Sequence, residues 1–582
     1  MIDNRVRSSA TAAETQLNGL SERRWSWFLC LVCLVMLFSS LGSAALFDPD
    51  EGRNAEKARE ILLLSDWVTP HQNFLPTLDK PILFYWFVAL CFKLFGISEW
   101  SARLPSALAA LGCVFLVYRF AKRRWGLRAA LWSCLVLITS AEFFVLARLV
   151  IFDMTVTFFI TLALFSFYNA TLTSDPRSAR LHCFLMYAAM GVGTLVKGLI
   201  ALVIPGMVIF FYLLLTGKWV FLRRMDIMRG VVVYSAVVAP WYLSVEARNP
   251  GYLHYFFWEE HFVRYLTPHF NRSKTWYYFF AVLGIGFLPW TLFLPVAVRN
   301  LWKRAFDDAN VFLGLWVILT FAFFSASNSK MPHYILPIYP PLALLTGSAM
   351  AVKFENPATK PWRILYGTWI VTLGCILYFL IGAAWPNLLP TQIRSAVPQK
   401  ISLVAAYGAM IFLIWGIFLV GYFKNIWKDR GMIYLCTSIS LALFWVIVGQ
   451  LMAAASFHRT AKLLAEQSVP LINREDRLVF YDTYLEGTLF YLRIDQPIWL
   501  VQAREKKEVM GSFYVGERHP APAAGYDQVL FTFEEFAARW KKNELPLRVF
   551  VKEKNLARFR RAVETPPRIL MKFNDYLLVT NS

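Results

Sequence analysis

Apolar runs alternate with short polar links through most of the chain. Each run of 18 or more residues is long enough to cross a ~30 Å hydrocarbon core. They fall at 25–46, 102–120, 128–147, 153–172, 181–216, 229–246, 276–298, 310–326, 333–352, 363–385, 402–423 and 432–453. The 181–216 run, about 36 residues, is too long for one helix at ~1.5 Å per residue. It divides near Lys197-Gly198, and Pro205 sits where it would kink the second half. Residues 81–97 are apolar and ambiguous. Read as a span, they put the basic cluster at 119–128 on the side opposite the N-terminus. Read as a helix lying along the membrane surface, with Phe84, Tyr85, Trp86 and Phe92 at the interface, they leave all the basic clusters in agreement. Those at 5–24, 122–124, 177–180, 218–229, 299–304, 353–363 and 424–430 then share the cytoplasmic side. The surface reading gives about thirteen spans, with the N-terminus inside and the C-terminus outside.

Beyond residue 453 the pattern changes. Leu478 to Tyr481, Pro497 to Val501, Val529 to Thr532, Arg548 to Val551 and Ile569 to Phe573 read as strands. Thr532 is placed to cap a helix through Glu534–Trp540, and Asn574-Asp575 to turn a terminal hairpin. The expected fold is an α-helical polytopic membrane protein with a C-terminal soluble α/β domain. The divisions are a cytoplasmic segment 1–24, a membrane domain 25–453 with outer loops 47–101 and 247–275, and the α/β domain 454–582. The first apolar run has no convincing small-residue cleavage site, so it reads as a retained helix.

Composition agrees. Of the 582 residues 57% are hydrophobic and only 17% charged, against about 25% charged in soluble domains. The formal net charge of +21 would suggest nucleic acid in a soluble chain. Here the basic residues sit in short loops, so the positive-inside rule accounts for them and a nucleic-acid partner is not expected. All eight cysteines lie in or beside apolar segments, which disfavours a disulfide framework or a CxxC metal site. No P-loop or strand-linked GxGxxG is present, so no nucleotide cofactor is expected.

With this topology, acidic and histidine residues gather at the outer face. Asp48, Asp50 and Glu51 stand where the first span leaves the membrane, and Arg53 follows within one helical turn. Carboxylates beside a bilayer are costly without a partner or a task. They mark either a site for a membrane-embedded substrate or a solvated loop with helix-capping acids. Asp48-Pro49-Asp50 is also a literal DxD, a weak signal in an exported loop. Asp153 opens a span after Arg148 and could simply be an N-cap. Lys80 could anchor to headgroups or neutralise a phosphate. His254 and His261 lie about two helical turns apart, on one face of a helix, with Glu260 and Arg264 beside His261. Lys330, His333 and Tyr334 open another span among prolines, where a cation and a phenol would suit a lipid-linked phosphate.

Taken in order, DPDEGRNAEKAREIL, SDWVTPH, LDKPILFYW, RLPSALAAL, TLVKG, EEHFVRY and KMPHYILPIYPPLALL resemble polyprenyl-phosphate-dependent glycosyltransferases of the GT-C type. The nearest group is the lipid A 4-amino-4-deoxy-L-arabinose transferases, themselves similar to protein O-mannosyltransferases. The resemblance covers most of 25–455. It implies an inverting transferase that moves a sugar from undecaprenyl phosphate to an acceptor at the periplasmic face of a bacterial inner membrane. Lipid A is the first acceptor implied, with protein or another glycan as the alternative. It also implies roles: Asp50 and Asp153 as catalytic carboxylates, and Asp79 with His261 as a divalent metal pair (zinc or magnesium). Arg53, Lys80 and Lys330 would meet the donor phosphate, and Asp48, Glu51, Arg264 and Tyr334 the substrates. The sequence departs from the arabinose transferases at Asp79, where Glu is usual, and at Asn54 and Thr77, where Tyr is common. A flippase of lipid-linked sugars, with Lys197 as its buried charge, and an envelope scaffold are the competing classes.

Overall fold

The computed structural model describes residues 22–267, 273–303, 307–353, 434–449 apart from 436, 440 and 447, then 460–503, 507–564 and 566–581. The chain opens with a helix over 22–38 (α1), followed by Asp50–Leu64 (α2), Leu83–Phe95 (α3), Glu99–Trp125 (α4), Leu127–Thr139 (α5) and Ala141–Leu146 (α6). Phe152–Leu172 (α7), Pro176–Lys197 (α8), Ile200–Thr216 (α9) and Ile227–Arg248 (α10) come next. Among the described residues, six helices are long and apolar enough to cross a membrane: α4, α7, α8, α10, Asp308–Ala326 and Pro332–Val352. The expected spans at 363–385 and 402–423 lie outside the described residues, and 432–453 lies only partly within them.

Local chemistry explains where the elements differ from the simple periodic pattern. The 181–216 run does break at Lys197-Gly198, where Gly198 takes φ +105°. The 128–147 run is not one helix. It breaks at Ser140, and the Ala141 N–H leaves its own helix to donate to the Leu288 carbonyl at 3.0 Å. The 276–298 run is bent by 106° between Tyr278–Gly286 and Trp290–Lys303, beside Pro289, which has no N–H to continue the helix. At 13 residues α3 is about 20 Å long, too short to span.

The C-terminal residues form a mixed sheet. The outer loop first contributes a two-residue hairpin, His71–Gln72 (β1) with Leu75–Pro76 (β2). Arg477–Tyr481 (β3), Trp499–Val501 (β4), Leu530–Phe531 (β5), Leu547–Lys552 (β6), Arg568–Phe573 (β7) and Tyr576–Thr580 (β8) then pair in the order β5-β4-β3-β6-β8-β7. The β5–β6 set is parallel and β7–β8 closes as an antiparallel hairpin. Strand β3 is buried on both faces, Val479 and Tyr481 in one core and Leu478 and Phe480 in the other. Thr532 and Glu535 form a capping box on the helix Phe533–Lys542, which lays Phe536 and Trp540 on the first core.

Helix α2 joins this sheet to the membrane helices. It is polar yet mostly buried, which makes unpaired charge costly, and most of its charges are paired. Glu51 receives two bonds from the Arg103 guanidinium on α4, at 2.9 and 2.7 Å. It also accepts from the Phe47 and Val150 N–H groups. Arg103 spends its remaining donors on the Leu41, Ala44 and Ala45 carbonyls. Glu56 holds Arg59 at 2.8 Å, and Glu60 accepts from the N–H groups of Asn73 and Phe74 in the β1–β2 turn. That turn enters the sheet domain, where Asn73 exchanges hydrogen bonds with Ile498 and Leu75 packs beside Phe480.

Arg103→Met removes one partner and leaves Glu51 buried without a counter-charge. The expected cost is about 3–5 kcal/mol, read as a clear fall in the thermal unfolding midpoint of the purified chain. An unchanged midpoint contradicts the clamp.

Candidate active site

A cavity of about 640 Å³ lies where α2, the 79–80 loop, the start of α7, the end of α8, the 255–266 segment and the sheet domain meet. Asp50 is the first residue of α2, where the helix dipole favours a carboxylate. Its side chain is half exposed to this space and ion-paired with Arg53 one turn on. Arg53 also donates to the Gly511 carbonyl at 3.2 Å, so the sheet domain fixes it from above. Glu486 and Phe513 of that domain complete the wall.

The second group sits across from it. Lys80 and Arg264 both donate to the same Glu260 oxygen at 2.7 Å. Burial works against Glu260 ionising, but Arg264 and Lys80 overcome this and hold its carboxyl at about 2. Burial also pulls the Lys80 ammonium below its usual range despite Glu260. The cluster is therefore cation–anion–cation, with one positive charge in excess. Beside it Asp153, in the first turn of α7, is ion-paired with Lys197, the last residue of α8. Each charge sits at the helix end that favours it. His333 Nε2 lies 3.8 Å from Asp153, and the Lys197 ammonium lies 4.9 Å from the centre of the Tyr334 ring.

A second, mostly apolar cavity of about 470 Å³ adjoins the first. Leu199, Ile200, Val203, Phe262, Phe323 and Phe324 are among its lining residues. Lys80, Lys197, Glu260, Arg264 and Tyr334 line both spaces. The cations thus stand at the junction of a polar chamber and an apolar groove. Such a junction is complementary in charge and polarity to an amphiphile with an anionic head.

Three expected site residues are engaged by protein groups, Asp48 and Glu51 in the chamber wall and Lys330 outside both cavities. Glu51 is fully occupied by Arg103 and two N–H groups, so it is a clamp rather than a substrate contact. Asp48 accepts from the Gly487 and Ala461 N–H groups at 2.6 and 2.7 Å and ties the loop to the sheet domain. Lys330 turns away from both cavities and donates to the Ser327 and Lys274 carbonyls. It braces two outer segments and lines neither cavity.

At the expected metal pair, both His261 ring nitrogens and one Asp79 oxygen are engaged by protein groups. His261 bonds the Phe256 carbonyl through Nδ1 at 2.7 Å and accepts from the Leu199 N–H through Nε2 at 3.1 Å. Asp79 Oδ1 accepts from the Tyr255 hydroxyl and from the Phe513 and Tyr514 N–H groups, leaving only Oδ2 unpartnered. Among the described residues no group of three His, Cys, Asp or Glu side chains could hold a metal ion. A side chain at 198 would strike the His261 ring, whose Nε2 lies 2.5 Å from where a Cβ would stand. The expected shared face of His254 and His261 is lost because Tyr255–Val263 is a π-helix, whose wider turns break the spacing. His254 is left exposed beside Glu259.

Residues 79–243 match the dolichyl-phosphate-mannose-protein mannosyltransferase family. An undecaprenyl phosphate-α-4-amino-4-deoxy-L-arabinose arabinosyl transferase of Pseudomonas paraeruginosa is 33% identical over 383 residues, 65% of this chain and 68% of that protein. Its counterpart in Aeromonas hydrophila is 27% identical over 538 residues, 86% of this chain and 96% of that one. The crystal structure of ArnT from Cupriavidus metallidurans bound to undecaprenyl phosphate superposes with a TM-score of 0.81 at 26% identity. That match covers 96% of this chain and 98% of the other.

Glu260→Gln leaves Lys80 and Arg264 as adjacent buried cations. A loss of about 3–5 kcal/mol is expected, partly recovered in Glu260→Gln/Arg264→Met. Thermal unfolding of the two variants checks this. A double variant no more stable than the single one contradicts the shared-carboxylate arrangement.

Proposed function

Since the chain belongs to the undecaprenyl phosphate-α-4-amino-4-deoxy-L-arabinose arabinosyl transferase family, we propose that it moves this sugar from undecaprenyl phosphate to lipid A. The chain is a multi-pass membrane protein, and in this reading the site opens on the periplasmic side of the inner membrane. The observation that carries it is the shared wall of the two cavities. The polyprenyl tail fits the apolar groove, and the phosphate head meets Lys80 and Arg264 where the groove opens into the polar chamber.

In the reaction the bond between the anomeric carbon and the phosphate oxygen breaks, and the electron pair leaves with undecaprenyl phosphate. Lys80, Arg264 and Lys197 stand where that negative charge develops, already oriented by Glu260 and Asp153. Such preorganised charge is worth most in a dry site. The acceptor oxygen bonds the anomeric carbon from the opposite face, which inverts its configuration. If the acceptor is a hydroxyl, Asp50 takes its proton. If it is a phosphate, already anionic, Asp50 orients the sugar or supports the acceptor. Asp153 holds Lys197 in place beside the leaving group. A flippase distributes its charges along a path through the bilayer. Here Lys197, the charge that would serve one, is paired inside the same chamber.

Asp50→Asn is expected to insert normally and to lose transfer, read by mass spectrometry of lipid A from cells carrying each form. Wild-type modification by this variant removes the assignment. Lys80→Ala and Arg264→Ala should each weaken binding of undecaprenyl phosphate roughly ten- to hundredfold, while Lys330→Ala leaves it unchanged. Titration of the purified proteins that gives the reverse order contradicts the placement of the phosphate.

A further inference from the structure

Helix α2 carries one charge that the clamp, the hairpin and the donor cluster all leave out. Asp50 pairs with Arg53, Glu51 with Arg103 and Glu56 with Arg59, while Glu60 holds the β1–β2 turn. Lys57 is 2% exposed, yet it forms no hydrogen bond or ion pair among the described residues. Its stem lies by Tyr85, with the ammonium 5.6 Å from the ring centre, and it lines the polar chamber. Burial lowers the ammonium to about 8, which still leaves it mainly charged at neutral pH. A buried cation without a partner is costly, so a ligand that supplies the missing anion would be held strongly.

The nearest carboxylates, Asp79 and Glu486, favour the charged ammonium through space but form no hydrogen bond or ion pair with it among the described residues. Asp79 accepts from Tyr255 and two backbone N–H groups, and Glu486 accepts from the Gln72 amide. Lys57 is also separate from the donor cluster. Lys80, Lys197 and Arg264 line both cavities, whereas Lys57 and Arg53 line only the polar one, away from the apolar groove. Transfer between two phosphates needs two anion sites. One takes the leaving lipid phosphate, and the other holds the incoming phosphate so that the two like charges do not repel across the sugar.

We propose that Lys57, flanked by Arg53, is the second of these: a subsite for a phosphate group of the acceptor lipid. This rests on the transferase reading above and adds where the acceptor docks. The ammonium would form a charge-assisted hydrogen bond to a non-bridging phosphate oxygen, leaving the attacking oxygen free to face the anomeric carbon beside Asp50.

The full chain in lipid nanodiscs, saturated with undecaprenyl phosphate, is titrated with lipid A bearing both phosphates and with the same lipid dephosphorylated. Wild type should prefer the phosphorylated lipid at least roughly tenfold. Lys57→Met should lose that preference while its affinity for undecaprenyl phosphate stays at the wild-type value, which also shows that it is folded. Lys57→Arg should restore the preference. A preference that survives in Lys57→Met overturns the Lys57 subsite alone. A wild-type chain with no preference overturns the lipid A acceptor itself, and the subsite with it.

Discussion

The bond between Glu51 and Arg103 is the constraint on which the site depends. Both side chains are buried, and every donor and acceptor they carry is used. A buried ion pair is a weak source of net stability but a strong source of position, because either charge alone is costly. It pins the first turn of α2 to a membrane-spanning helix, to the end of the first span and to the link before α7. Asp50 is the residue immediately before Glu51, so fixing Glu51 fixes the carboxylate that faces the chamber. The rest of α2 then runs under the sheet domain, and Gly52 passes so close to Gly487 that a Cβ there would lie 2.6 Å from the Gly487 Cα.

From that anchor the chamber divides its charges by task. Side chains that hold the architecture have all their polar atoms engaged by other protein groups, as Glu51, Asp48 and Lys330 do. Asp50 and Lys80, to which the proposed transfer assigns chemistry, are paired but keep a face to the cavity. The excess of positive charge at the groove mouth is matched to an anionic head, and the apolar groove behind it to a long hydrocarbon tail. Neither cavity alone would distinguish a lipid phosphate from a soluble one.

Much of this was legible in the sequence, and the exceptions have physical reasons. The outer-loop motifs gave Asp50, Arg53, Lys80, Asp153, Arg264 and Tyr334, which the fold brings into one chamber. The break at Lys197-Gly198 followed from length alone, but the sequence could not show that the break delivers Lys197 to Asp153. Glu51, Asp48 and Lys330 carry the same chemistry as their neighbours, and only the positions of their partners separate clamp from site. Glu486, Gly511 and Phe513 had no signal, since a remote domain brings them in by tertiary packing. The His254–His261 spacing assumed an α-helical turn that the π-helix does not have. Nothing in the sequence separates Lys57 from the other charges of α2, because its burial depends on the domain above it.

A structure of this chain with undecaprenyl phosphate bound tests the central claim most directly. The account predicts the phosphate against Lys80 and Arg264, the tail along Phe323 and Phe324, and Asp50 facing the same chamber with Glu51 still on Arg103. A phosphate lodged at Lys330, or an Asp50 turned out of the chamber, would contradict it.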